Sequence, residues 1–236
     1  MKVHRAPVTV AAVAALAVLT GCAGQSASPA ASSLPASPAA SSSRAPLIAD
    51  PTVVTIGDSI MKGHGLTGDQ AWPALMAAQN DWRLDNLACD GAGFLAVGNN
   101  SDCGGTFAAL VAHAAALHPR TVIVEGSSND FGQDDTDLAA ETLSQLQQLR
   151  TALPHAQIIG LSTVWGDTAV PSQLADVDSQ VHAAIAAVGG TYVSIGQPLA
   201  GHPEWMQSDD VHPNSEGQFA LFAAVQNAFR AAGLKA

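Results

Sequence analysis

Val53-Val54-Thr55-Ile56-Gly57-Asp58-Ser59 is the stretch that decides how this chain is read. Four β-favouring residues run into a glycine, an acid and a serine. A strand ending in such a turn carries Ser59 onto the first turn of the next element. In an open α/β sheet that is the carboxyl end of a strand, where ligand crevices form. Free backbone N–H groups gather there too, ready for an anion. Working outward, short runs at 53–56, 82–87, 121–124, 158–161 and 191–195 read as strands, 121–124 apolar throughout as in a buried parallel strand. Between and after them, 70–79, 107–117, 138–149, 172–188 and 215–232 carry helical spacing. Leu174, Val177, Val181, Ile185 and Val188 form one such stripe, closed by Gly189-Gly190, and Gly233 is placed to end the last helix. Strands alternating with helices predict an α/β fold: a three-layer α/β/α sandwich on a mainly parallel five-stranded sheet, flavodoxin-like in outline.

The first part of the chain reads differently. Lys2 and Arg5 precede an uncharged apolar run, 8–19, too short to span a bilayer as a helix. Leu19-Thr20-Gly21-Cys22 resembles the lipobox of bacterial lipoproteins. That resemblance implies a signal peptide over 1–21, acylation of Cys22 and residence at the extracytoplasmic face of the cell membrane. Residues 22–49 are almost all Ser, Ala and Pro and cannot bury a core, so they read as a tether. A flexible chain of that length reaches on the order of 25–30 Å. The remaining 50–236 is one domain's worth of chain.

Without Lys2 and Arg5 the chain holds seven basic residues against twenty acidic ones, a formal −13. That balance excludes nucleic acid as a natural partner. Beyond Cys22 there are two cysteines, Cys89 and Cys103. In an oxidising compartment such a pair is expected to bond, closing the Gly/Asn/Asp-rich loop between them. No His or Cys pair has zinc-ligand spacing, so no metal and no cofactor is expected.

Four short blocks, in order across the domain, resemble those of the SGNH hydrolases, the GDSL-type esterases and lipases. Gly57-Asp58-Ser59 matches the first block, whose serine is the nucleophile. Asn86-Leu87-Ala88-Cys89-Asp90-Gly91 is similar to the second, whose glycine N–H is an oxyanion donor, here Gly91. Gly126-Ser127-Ser128-Asn129-Asp130-Phe131 is similar to the third, whose asparagine amide is another donor, here Asn129. Asp209-Asp210-Val211-His212 resembles the block that supplies acid and base. Three departures are visible. Ile60-Met61 follows Ser59 where the family name implies a leucine. Ser127 stands where the family usually has glycine, and Asp210 replaces a common glycine.

The chemistry is coherent on its own terms. A serine hydroxyl needs a neighbour to take its proton, and His212 is the right type. Asp209, three residues upstream, can hold the other imidazole nitrogen. The Ser59 N–H, the Gly91 N–H and the Asn129 amide come from three strand ends and can converge on an oxyanion. Asp58 reads as a cap for the turn, Asp210 as a solvent-facing acid, and His64, His113, His118, His155 and His182 as surface or packing residues. Ser59-Ile60-Met61-Lys62 also spells S-x-x-K, but no Lys-Thr-Gly accompanies it.

The resemblance implies a serine esterase that forms an acyl-enzyme through Ser59, His212 and Asp209. No long apolar insertion offers a lid, so short acyl esters are expected, carbohydrate-borne ones included. Trp165 and Trp205 are candidates to line the substrate. Two alternatives stand beside this reading: an O-acyltransferase, with a sugar hydroxyl in place of water, and a non-catalytic envelope-binding lipoprotein.

Overall fold

The computed structural model describes residues 52–234. The expected signal peptide 1–21, Cys22 and the tether 22–49 lie outside the described residues. Five strands form one sheet: β1 (Thr52–Ile56), β2 (Arg83–Asn86), β3 (Thr121–Glu125), β4 (Gln157–Leu161) and β5 (Thr191–Val193). Their spatial order is β2-β1-β3-β4-β5 and every neighbouring pair is parallel. The chain leaves β1 toward one side and returns to β3 on the other. The topological switch point therefore lies between β1 and β3, where such sheets bind ligands.

Six helices cover the sheet: α1 (Ser59–Lys62), α2 (Trp72–Asn80), α3 (Phe107–Leu117), α4 (Asp135–Ala152), α5 (Ser172–Ala187) and α6 (Ser215–Ala231). Alternate strand residues face opposite sides, as a period of two requires. Val54, Ile56, Val122 and Val124 meet Phe107, Leu146 and Val181 from α3, α4 and α5. Val53, Ile123 and Ile159 meet Met61, Trp72 and Phe229 from α1, α2 and α6. Both faces of the central strands β1, β3 and β4 are thus buried, which is why these read as apolar runs, whereas the edge strand β2, Arg83–Asn86, is only partly covered. The three-layer sandwich with a parallel five-stranded sheet is the one the sequence predicts.

The boundaries moved for local reasons. The helix expected from residue 70 begins at Trp72, with Pro73 in its first turn and a 3-10 turn, Gly68–Gln70, before it. The third long helix begins earlier than expected because the Asp134 carboxylate accepts from the N–H groups of Thr136 and Asp137. Cys89 and Cys103 are joined in a disulfide, Cα to Cα 6.0 Å. Among the described residues no helix is long and apolar enough to cross a membrane.

Candidate active site

β1 ends at Ile56, and Asp58 caps the short helix that follows. Its Oδ1 accepts from Ile60 N at 2.9 Å, so Ser59 sits at the first position of α1. The first N–H groups of a helix have no partner within it. The Ser59 N–H is one of these, at the open end of the β1/β3 cleft.

His212, the candidate base, arrives from the other end of the chain. The segment before α6 is folded back by a bridge between Met206 and Pro213. It is tied down by Gln207, whose backbone N–H donates to His212 O at 2.7 Å. The Gln207 side-chain amide donates to His64 O and Pro213 O at 2.6 and 2.9 Å. His212 Nε2 then lies 3.0 Å from Ser59 Oγ, and His212 Nδ1 lies 2.7 Å from Asp209 Oδ2. The Asp209 Oδ1 accepts the backbone N–H groups of Val211 and His212, both at 3.0 Å. The bond to the His212 ring, with those backbone donors, holds the Asp209 carboxyl well below the usual carboxylate range. The acid stays ionised, facing an imidazole whose other nitrogen meets the serine. Asp210 is exposed, with φ of 55°. That left-handed backbone is where glycine is favoured and where Asp is among the better-tolerated substitutes.

Two loops bring the other expected groups. Gly91 takes φ of +75°, which turns the backbone of the loop after β2 into the cavity and is open to glycine at little cost. Asn129 lies in a 3-10 turn, Ser128–Asp130, after β3, and its side-chain amide donates one hydrogen to Ala92 O at 3.1 Å. An amide nitrogen has a second hydrogen for a ligand. Ser59, Gly91, Asn129, His64, Val211 and His212 all line a cavity of about 400 Å³. The sheet topology therefore brings together all five catalytic and oxyanion candidates.

Ser127, the departure from the family pattern, does not loosen this loop. Its Oγ lies 2.8 Å from both Asp58 Oδ2 and Ala92 O and accepts the Asn129 N–H at 3.1 Å. A buried hydroxyl thus joins the β1 turn, the Gly91 loop and the Asn129 turn. Next to it, the Asp130 carboxylate accepts the N–H groups of Phe94, Leu95 and Ala96 at 2.7, 2.9 and 2.9 Å. A side chain at Gly93 would strike that carboxylate, which its three N–H donors hold in place, so the loop needs glycine there. Burial pushes the carboxyls of Asp58 and Asp130 up. Glu125, at the end of β3, is pushed well up by burial and by Asp58, and its Oε2 has no hydrogen-bond partner.

Neither tryptophan lines the cavity over Ser59. Trp165 packs edge-on against Phe131, ring centroids 5.8 Å apart, beside the Asn129 turn. Its indole N–H donates to Thr168 Oγ1 at 3.0 Å. Trp205 stacks on His202 and lines a separate apolar groove of about 800 Å³ along α6, with Phe219. Lys62, the other half of the S-x-x-K spelling, reaches the carboxylates of Asp102 and Asp90.

Sequence reasoning missed His64. It is not a bystander: its ring stacks on His212 with centroids 4.2 Å apart and lines the same cavity. It also missed the supporting amides Gln207 and Gln218. Gln218, buried on α6, accepts from Trp72 N and donates to Ile60 O, both at 2.8 Å. No local pattern marks either glutamine.

No curated protein matches the chain in sequence. Solved structures match it in fold. The psychrotrophic esterase EstA from Pseudoalteromonas sp., in a form inhibited by monoethylphosphonate, superposes with a TM-score of 0.60 at 18% identity, over 77% of this chain and 97% of that one. The salicylyl-acyltransferase SsfX3 of a tetracycline biosynthetic pathway gives 0.61 at 20% identity, over 78% and 55%. A family two carbohydrate esterase from Cellvibrio japonicus gives 0.58 at 16% identity, over 76% and 60%. The model of the GDSL-like lipase/acylhydrolase family matches residues 55–219. With well over half of its length matched, the chain belongs to that family, and it is a serine hydrolase acting on ester bonds.

Proposed function

We propose that Ser59, His212 and Asp209 are a catalytic triad that hydrolyses short acyl esters through an acyl-enzyme on Ser59. The contact that carries this reading is His212 Nε2 at 3.0 Å from Ser59 Oγ, with Asp209 at 2.7 Å on the other ring nitrogen. His212 takes the serine proton as Oγ attacks the acyl carbonyl. The Ser59 N–H, the Gly91 N–H and the free hydrogen of the Asn129 amide receive the negative oxygen. His212 returns the proton to the departing alcohol, then takes one from water to release the acid. A cavity of about 400 Å³ suits a small acyl group better than a long chain.

Next to that cavity lies a polar groove of about 830 Å³ that shares His64 and Asp90 with it. Its size and polarity favour a hydroxyl-rich alcohol, such as a sugar, as the other half of the ester. The same groove leaves room for an acceptor hydroxyl, so transfer is the second reading. Anchoring through Cys22 at the outer face of the membrane would place the domain near acylated envelope glycans.

Hydrolysis of p-nitrophenyl esters of rising chain length, by the soluble domain and by Ser59→Ala, tests the activity. Turnover greatest with acetate or butyrate, and lost in the variant, is expected. Equal inertness of both proteins would favour the binding alternative. Product analysis with a sugar acceptor separates transfer from hydrolysis. Cys22→Ala should move the full chain out of the membrane fraction, and retention there would contradict the anchor.

A further inference from the structure

We infer that His64 is a positioning residue: its ring, held by Asp90, forms a wall that fixes the plane of the His212 imidazole. The inference rests on the triad reading above. His64 follows Gly63 directly after α1, and its N–H donates to Ser59 O at 3.0 Å. Its carbonyl accepts from Gln207, the residue that ties down the His212 loop. The backbone of His64 is thus bonded to both the nucleophile segment and the base segment. The ring lies against His212, centroids 4.2 Å apart and planes 30° apart.

The ring cannot turn freely. Its Nδ1 lies 2.8 Å from Asp90 Oδ2, and an ionised carboxylate only accepts, so Nδ1 carries the hydrogen. Asp90 is itself placed from two sides. Lys62 Nζ lies 3.5 Å from the same oxygen, and Asp90 N donates to Asp102 Oδ2 at 3.0 Å. Lys62 also pairs with Asp102. The disulfide joins the residues next to these two acids, Cys89 before Asp90 and Cys103 after Asp102. A chain of contacts therefore runs from the covalent staple through Asp90 to the face of the catalytic imidazole.

The need for such a wall follows from the rest of the site. Asp209 fixes one edge of His212 but does not stop the ring from rocking about that bond. The other face of the cavity is open for substrate. Stacking supplies the missing constraint, and a rotated imidazole would lose its aim at Ser59 Oγ. The side chains of His64, Asp209 and His212 come close enough to suggest a metal triplet. Stacked rings, though, direct their in-plane lone pairs side by side rather than to one point, and each Nδ1 already faces a carboxylate. The grouping serves orientation.

The test uses three variants. His64→Ala removes the ring and the Asp90 contact. His64→Phe keeps a ring face without the contact, and His64→Gln keeps a donor for Asp90 without the face. Two rates are read: ester turnover, split into kcat and KM, and phosphonylation of Ser59 by a fluorophosphonate, followed by mass. In Ala and Gln, kcat and the phosphonylation rate should fall about 10- to 100-fold with KM nearly unchanged. Phe, which keeps the ring face but loses the Asp90 hold, should fall between wild type and Ala on both. Gln as fast as wild type, or Phe as slow as Ala at equal melting temperature, would overturn the inference. Should Ala fail to fold, the Phe and Gln pair still decides. Wild type that is not phosphonylated at all would instead overturn the triad reading, so the two failures are distinguishable.

Discussion

The two sides of the site are built on opposite principles. The proposed oxyanion side is buried and cross-linked: Asp58, Ser127 and Asp130 are withdrawn from solvent, and they bond the β1 turn, the Gly91 loop and the Asn129 turn to one another. The proposed acid–base side is exposed. The side chain of Asp209 is 43% accessible, and Val211 beside it is more open still. Its bonds lie mostly within one short turn, and the Gln207 amide on His64 O and the His64 ring on His212 link that turn to the rest of the fold. Backbone donors cannot adjust to a substrate, so they must be held by their surroundings. A carboxylate three residues from its histidine needs only its own turn.

The comparison breaks most visibly at Asp209. Asp209→Asn should lower kcat by about 10⁴, since the amide orients the wrong imidazole tautomer. Its melting temperature should stay close to wild type, because a solvent-facing pair contributes little stability. Activity and melting assays on one preparation check both halves. A large fall in melting temperature would show that the exposed side is structural after all.

On the buried side the order reverses, with stability leading. Cys89→Ser with Cys103→Ser frees a 14-residue separation of chain. The loss should be about 3 kcal/mol, roughly 6–12 °C in melting temperature, from loop closure alone. Activity well below that melting point should fall less than in Asp209→Asn, since Asp130 still holds residues 94–96. A melting curve that ignores the substitution would show that the staple adds nothing to those hydrogen bonds.

A smaller effect sharpens the contrast between buried and exposed acids. Glu125 has a folded-state pKa raised by burial, from an ordinary value of 4.5. Protonation is then linked to folding: its contribution is fully present below that ordinary value and is lost as pH rises through the folded one. Glu125→Gln, which keeps the neutral shape, should match wild type at low pH and melt above it as pH rises. A melting difference that is flat between pH 5 and 9 would contradict the burial argument.

How much of this was legible before the fold follows from the same contrast. The centre of the sheet could be read because β1, β3 and β4 are buried on both faces, so their apolar runs carry the signal directly. Asp209 and His212 could be read because their partnership is local. Ser59 stands out from its own strand and turn, but Gly91 and Asn129 could be read only through the family's blocks, since their convergence with it is set by strand order. His64 could not be read at all. Its partners are 26 residues away at Asp90 and far downstream at His212, and a lone histidine after a glycine has no local mark. Gln218 escaped for a related reason: a polar residue on an apolar helix face looks like an interruption until Trp72 and Ile60 are seen against it. Trp165 follows a strand end and Trp205 precedes Asp209, which makes both look like substrate contacts in the sequence; in the fold they pack against Phe131 and His202. The disulfide was legible from cysteine count and the expected compartment, whereas its link through Asp90 to His64 was not.

The most direct measurement traps the covalent intermediate. The soluble domain is mixed with p-nitrophenyl acetate, quenched in acid within milliseconds and digested, and the acetyl group is located by peptide mass. The account predicts one acetyl per chain, on the peptide carrying Ser59, and none in Ser59→Ala. Steady hydrolysis with no acetyl on Ser59, or with the acetyl on another residue, would contradict it.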